Sequence, residues 1–359
     1  MGSKKLLKII ATTMVLAVFL FTILSGCGSS ATPSDDTTKA GVSTTSGNSS
    51  EFKVAWYASA PHPYFEDVKK GVEGFEKDFG ITVEKQIGPD WKQDSETQNV
   101  EALAAKGIKY FSIYPSDGSA ANGLYEEMEA SGVSFVNFGS STVEPTKAKF
   151  YVGTDVKAAA AAATEELIKA MGDKGNIINV LEVLEDANTK LRKEGVEEAV
   201  KKHPNVKIIQ EISGMKSVEE AVQKIDDSIS ANIDKVDGII ATGDTTTIGI
   251  CNVLQAYKQK GGNRAIHSIG IDTDPVTIKA IKEGYLEATI SQNPYAHGYI
   301  SLLLLKYMSE GWTPKAGMYR VDTGTSVVTK DNTETYNDDL MKINDEIKAS
   351  LETKYLEKK

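Results

Sequence analysis

Cysteine is nearly absent. The 359 residues contain two, Cys27 and Cys251. Cys27 falls in the N-terminal signal described below, which leaves Cys251 alone, so neither a disulfide framework nor a Cys-based metal cluster is possible. Cys251 falls on an apolar helix stripe (IGICNVLQAY) and reads as a small buried hydrophobe. Histidine is scarce too. The four lie at 62, 203, 267 and 297, and no two have metal-ligand spacing. His203 reads as a solvated helix end and His267 as a structural strand residue. Catalytic motifs are missing: there is no G-x-x-x-x-G-K-[ST], no G-x-S-x-G and no H-E-x-x-H. Asp78-Phe79-Gly80 spells a kinase triplet, but it ends an amphipathic helix and its kinase context is absent. Basic runs are lacking beyond the first eight residues and the net charge is −10, which disfavours nucleic acid. Nothing calls for a metal or a cofactor, and an enzyme is disfavoured.

The N-terminus carries a different signal. Lys4, Lys5 and Lys8 precede an apolar run from Ile9 to Leu24, followed by Ser25-Gly26-Cys27. A basic start, an apolar centre and small residues before a cut describe a secretory signal. The run falls short of the roughly 20 apolar residues that a spanning helix needs. Leu24-Ser25-Gly26-Cys27 resembles the bacterial lipobox, which implies lipidation of Cys27 and a protein tethered outside the cytoplasmic membrane. Residues 1–27 are then the signal. Residues 28–51, rich in Ser, Thr and Gly, cannot bury enough apolar surface to offset chain entropy and read as a flexible tether.

From residue 52 onward strand and helix patterns alternate. FKVAWY, ITVEKQ, IKYFSIYP and VSFVNF have strand character. Between them run helical segments, the first with Phe65, Val68, Val72, Phe75 and Phe79 on one face. The rhythm repeats from the Ala-rich VKAAAAAATEELIKAMG through NIINVLEVL, VKIIQEI, VDGIIAT, AIHSIGI and LEATIS. Such alternation predicts an α/β fold, parallel sheets covered by helices on both faces. Two consecutive series predict two doubly wound, Rossmann-like lobes. In such sheets ligands gather at the carboxyl ends of strands.

At those ends polar side chains recur. Asp117 follows IKYFSIYPS, Asn137 ends VSFVNF, Asp244 follows VDGIIATG, Asp272 follows IHSIGI and Gln292 ends LEATISQ. Arg192 begins the helix after NIINVLEVL. Asp117 and Asp244 could equally be helix N-caps; Arg192 caps nothing. Carboxylates, amides and a guanidinium together suit paired hydrogen bonds to vicinal hydroxyls. Aromatic rings can cover the C–H faces of a sugar, and the turn after FKVAWY holds His62, Tyr64 and Phe65 between and after two prolines. A few polar groups in an aromatic cleft describe a small-molecule site. Trp91, in GPDWKQD, is either a second stacking surface or a surface tryptophan. Of Trp56 and Tyr57, strand alternation sends one to the core.

In order along the chain stand HPYFEDVKKGVEGF, GIKYFSIYPSDGSA, VGTD, RKEGVEEA, DGIIATGDTTTIG, IGIDTDP with IKAIKEGYLEATISQNP, and VVTKDN. Through these phrases the chain, from about residue 52 to about 332, is similar to the type I periplasmic sugar-binding proteins, the ribose- and galactose-binding group that serves ABC importers. The resemblance implies two lobes joined by a three-strand hinge with the ligand cleft between them. One lobe would hold 52–138 and 293–322, the other 139–292 and 323–332; residues 333–359 extend past the usual family end and read as a charged helix whose Leu340, Ile343, Ile347 and Leu351 pack on the body in preference to a partner. It implies Tyr64 and Phe65 as the rings that sandwich a sugar and His62 in place of an Asn. It further implies Asp117, Asp186, Asn188, Arg192, Asp272 and Gln292 as polar contacts. Gly243 stands where the family often has Asn before Asp244, which removes a side-chain hydrogen bond and opens space. The implied protein is an extracytoplasmic, lipid-anchored monomer that closes on a small carbohydrate and delivers it to ABC permease subunits. Receptors for sugar-like quorum or chemotaxis signals share the fold, and nucleoside binding ranks below them.

Overall fold

The computed structural model describes residues 52–184 and 186–358. The expected signal, Cys27 and the tether lie outside the described residues. Strands and helices alternate through β1 (Val54–Ala58), α1 (Pro63–Phe79), β2 (Val83–Ile87), α2 (Gln93–Ala105), β3 (Tyr110–Ile113), α3 (Ala121–Glu129), β4 (Ser134–Phe138) and β5 (Phe150–Gly153). A second series follows: α4 (Val156–Ala170), β6 (Gly175–Val180), α5 (Ala187–Lys201), β7 (Val206–Ile212), α6 (Val218–Asn232), β8 (Gly238–Ala241), α7 (Asp244–Gln259), β9 (His267–Ile271), α8 (Pro275–Glu283) and β10 (Ala288–Ser291). The chain then returns through α9 (Pro294–Ser309), β11 (Trp312–Pro314), β12 (Arg320–Asp322), β13 (Ser326–Thr329), α10 (Tyr336–Ser350), a π turn (Leu351–Tyr355) and β14 (Leu356–Lys358).

Two six-stranded sheets result. The first has the order β12-β5-β4-β3-β1-β2 and the second β13-β10-β9-β8-β6-β7. Every pair is parallel except β10 with β13. Both sheets change winding direction at one place, between β1 and β3 in the first and between β6 and β8 in the second. Such switch points are where open α/β sheets form crevices.

Helices on both faces explain the all-apolar strands. Trp56 faces Phe65, Val68, Val72 and Phe75 of α1 together with Ile300 and Leu304 of α9. Tyr57, one residue on, faces Val100 and Leu103 of α2 and Tyr125 of α3. Both rings are therefore fully buried, where alternation over a single core would have buried only one. Helices α1 and α9 approach closely because Gly71 and Gly298 face the partner backbone; a Cβ at either would collide with a carbonyl oxygen, Tyr295 O or Val68 O. Cys251 is buried in the second lobe's core. His203 is not simply solvated: its Nε2 lies 2.7 Å from Glu165.

The chain passes between the sheets three times. The first crossing, expected near residue 138, lies at Thr154–Asp155. The loop after β4 returns β5 to the first sheet, where Phe150 and Val152 join the core. The other crossings lie between β10 and α9 and between β12 and β13. The C-terminal extension is not purely helical, since β14 pairs antiparallel with β11. Ile347, Leu351, Tyr355 and Leu356 sit in the first lobe's core, and Tyr336 packs against the second. Among the described residues, no helix is long and apolar enough to cross a membrane.

Candidate functional site

The first lobe contributes rings. After β1, His62 takes the N-cap position of α1 and its Nδ1 accepts the Tyr64 N–H at 3.2 Å. The other ring nitrogen then carries the proton in the neutral form. Burial lowers the His62 pKa, and Asp272 of the other lobe opposes that shift. Trp91, in the loop after β2, is 49% exposed. Its ring lies 5.6 Å from Phe65, 5.7 Å from Tyr114 and 6.2 Å from His62. Tyr114 follows β3, across the switch point from His62, so Trp91, Tyr114, Tyr64 and His62 form one wall. Phe65 does not face the cleft as expected. It has no exposed surface and lies under Trp91 and Tyr114 against Trp56 and Phe138. Its turn of helix points it into the lobe core, so it backs the wall.

The second lobe contributes charge. Arg192 does not begin its helix but lies in the second turn of α5, whose N-cap is Asp186. It is 8% exposed, and its Nε is buried without a hydrogen-bond partner. The guanidinium acts on Tyr64, Tyr114 and Tyr151 of the first lobe and on Glu182 and Asp272 of its own. Asp272 has a left-handed backbone, φ 75°, at the end of β9. Only Asn, Asp and Gly visit that region with ease. There its Oδ1 accepts from Gln292 Nε2 at 2.6 Å. Burial raises the Asp272 pKa, while Arg192, Gln292 and His62 restrain it. Asp244 is the first residue of α7, but Gly243 is the N-cap and makes no side-chain cap bond. The Asp244 carboxyl therefore does no capping work. Burial first, and then Asp272, Asp274, Glu182 and Asp67, raise its pKa to about 7.

The space expected beside Gly243 is filled. A Cβ there would stand 2.5 and 2.6 Å from the two carboxylate oxygens of Glu182. Glu182 leaves β6 on the other side of the switch point and takes a hydrogen bond from the Thr245 backbone. Burial raises its pKa, and Arg192 opposes.

The remaining expected residues divide. Asn188 joins the lobes, its Nδ2 donating to Gly139 O at 3.4 Å. Asp186 is held by capping: its Oδ2 accepts the Thr189 N–H at 2.7 Å and the Thr189 hydroxyl at 3.0 Å. It still raises the Tyr114 pKa from across the cleft. Asp117 is exposed and accepts the backbone N–H groups of Ser119 and Ala120, both at 2.8 Å, which is the turn-capping role. Asn137 is fully buried; its Nδ2 donates to Thr142 at 3.3 Å and its Oδ1 has no partner.

The sequence reading missed Tyr114, Glu182 and His297. Glu182 had a signal, as the one acid inside the apolar run NIINVLEVL. His297 had none. It is 1% exposed, and Tyr64 Oη lies 2.6 Å from its Nδ1. Its Nε2 lies 2.9 Å from Thr323 Oγ1 and 3.4 Å from Thr154 Oγ1. Burial holds its pKa near 3, so the ring is neutral. The two threonines belong to two of the three crossings. At the third, Asn293 donates to Thr323 O at 3.1 Å and to Leu340 O of α10 at 3.2 Å. One cleft ring is thus wired to all three crossings.

Comparison with known proteins agrees with this architecture. The xylitol-binding protein of Mycolicibacterium smegmatis is 23% identical over 299 residues, covering 83% of this chain and 82% of its own. The D-allose-binding periplasmic protein of Escherichia coli is 25% identical over 276 residues, covering 72% of this chain and 86% of its own. Among solved structures, an ABC transporter solute-binding protein from Burkholderia graminis in complex with D-arabinose superposes with a TM-score of 0.72 at 21% identity. It covers 81% of this chain and 99% of its own. A solute-binding protein from Bacillus halodurans with bound myo-inositol gives 0.71 at 17% identity, covering 81% and 99%. Residues 54–312 match the periplasmic binding protein domain, and with these two lobes and three crossings the chain belongs to that family.

Proposed function

We propose that the protein captures a small carbohydrate between its lobes by hinge closure and hands it to an ABC importer from a lipid anchor at Cys27. The observation that carries this reading is Arg192. A guanidinium withdrawn from water and left with an unpartnered Nε is costly unless something bonds to it. It stands between the first lobe's phenols and the second lobe's carboxyls, where a polyhydroxylated ring would meet donors, acceptors and aromatic faces together. Tyr64, Trp91 and Tyr114 would cover the ring, with Phe65 behind them. Arg192, Asp272, Gln292, Asn188 and Asp244 would bond its hydroxyls, with His62 at the edge. Asp117, Asn137 and Asp186 support the loops that carry these contacts. The ligands for which the two relatives are named, xylitol and D-allose, support the ligand class, and Leu24-Ser25-Gly26-Cys27 supports the anchor. Three crossings tied through His297 and Asn293 support closure, a hinge motion in which few residues absorb the change.

A thermal-shift panel of pentoses, hexoses, polyols, amino sugars and short oligosaccharides tests the reading. At 100 times its dissociation constant a true ligand adds about 2.7 kcal/mol of stability. A flat response to all of these, with a shift from a nucleoside or a non-sugar signal, overturns it.

A further inference from the structure

The unexplained feature of the cleft is its acid surplus. Around the one guanidinium of Arg192 stand Glu182 and Asp272; Asp186 acts with it on Tyr114, and Asp244 lies beside Glu182 and Asp272. Two of the four are accounted for by neighbours: Asp186 by the Thr189 backbone and hydroxyl, Asp272 by Gln292. Glu182 has one backbone N–H, that of Thr245, and burial and neighbouring charges alone act on the Asp244 carboxyl, with no hydrogen bond to it among the described residues. Both flank the second lobe's switch point, just past the ends of β6 and β8; Glu182 faces Arg192 and Asp272, and Asp244 faces Glu182 and Asp272.

Glu182 holds its place only because residue 243 is Gly, since any Cβ there would displace its carboxylate. The pairing replaces a side chain that could both donate and accept, as an Asn at 243 would, with a carboxylate that only accepts. A ligand bonded to the ionised carboxylates must supply hydrogen-bond donors. It does best by supplying positive charge, because one guanidinium cannot neutralise two further carboxylates in a sheltered crevice. An ammonium offers three donors and a full charge.

We infer that Glu182, seated beside Gly243, is a specificity-determining residue that with Asp244 selects a sugar or polyol bearing a basic amine over its neutral parent. The inference rests on the carbohydrate reading and narrows it. The direction of the pKa shifts agrees: burial first, and then neighbouring carboxyls, push Glu182 and Asp244 up, Asp244 to about 7, a cost that a bound cation would relieve.

Isothermal titration at pH 7 with matched probes tests it: D-glucosamine, D-galactosamine and D-mannosamine, their parent hexoses, and their N-acetyl derivatives. At least one amine is expected to bind tenfold or more tightly than both its parent and its N-acetyl form. In Glu182→Gln that ratio is expected to fall toward one. Circular dichroism checks the fold of the variant, and Asp244→Asn serves as the second variant if Glu182→Gln does not fold. Neutral parents binding as tightly as the amines would overturn the inference and leave the carbohydrate reading standing. An amine preference unchanged in both variants would also overturn it. No binding by any of these sugars, or by the wider panel, would overturn both.

Discussion

The two lobes share one strand order and present opposite chemistry at the same topological place. In the first, the switch point between β1 and β3 opens onto His62, Tyr64 and Tyr114, with Trp91 beside them. In the second, the switch point between β6 and β8 opens onto Glu182, Gly243 and Asp244, with Arg192 and Asp272 beside them. The ring half is self-sufficient. Its rings pack on one another at 5.2–6.3 Å, and the Tyr64 hydroxyl already has His297. The charged half is unfinished: Arg192 Nε lacks a partner, and Asp244 and Glu182 are pushed up in pKa. A fold repeated twice can therefore divide labour, one copy giving a preassembled surface and the other a set of polar groups that a ligand completes.

The comparison can be broken most forcefully at Arg192. Arg192→Ala should weaken binding of the sugar found by the panel at least 100-fold, about 3 kcal/mol, as for a buried polar hot spot. The melting temperature of the ligand-free protein should move by less than about 4 °C, because Arg192 makes no hydrogen bond or close ion pair among the described residues and Glu182 and Asp272 can take up protons when its charge is removed. A large fall in that temperature would show Arg192 to be structural.

His297→Leu attacks the link between the ring half and the crossings. It leaves the Tyr64 hydroxyl and Thr323 Oγ1 without their partner. Unsatisfied buried groups of this kind cost about 2 kcal/mol, which urea titration would read as a lower midpoint. An unchanged midpoint would show that the network carries no load.

The unfinished half should also show itself as pH dependence. The Asp244 pKa is about 7 in the folded protein against 3.8 for the free group. Between those values the folded state binds more protons than the unfolded state, so this group's contribution to stability falls as pH rises. Asp244→Asn should gain on the native protein from pH 5 to pH 8, by on the order of 1–2 kcal/mol once partial exposure is allowed for. Comparing variant with native protein cancels the opposite trend from His297, whose lowered pKa costs stability as pH falls below its ordinary value. A difference that stays constant with pH would contradict the assignment.

The smallest effect is expected in the self-sufficient half. Trp91→Ala should leave stability nearly unchanged, the ring being half exposed, and weaken ligand binding about tenfold.

Much of this was legible before the structure. Strand and helix periods are local, so the alternation and the two series could be read directly, and Asp272 and Gln292 stood at strand ends where the topology collects side chains. What escaped depends on contacts distant in sequence. β5 is four residues long after an irregular loop, and only its pairing with β4 and β12 makes it a strand. Phe65 and Tyr64 are neighbours in one helical turn, and only the packing of α1 on the sheet decides which faces the cleft. Glu182 and Gly243 follow different strands, so the sequence shows an empty position where the fold shows an occupied one. His297 is 233 residues from Tyr64, and its meaning exists only where the crossings meet.

The central claim is that one ligand touches the rings of one lobe and needs the guanidinium of the other. Tryptophan emission measures both at once. Adding the bound sugar should change the emission of the native protein, leave that of Trp91→Phe unchanged, and leave that of Arg192→Ala unchanged at the same concentration. An emission change at undiminished affinity in Arg192→Ala would show that the rings bind without the charged half, and would contradict the account.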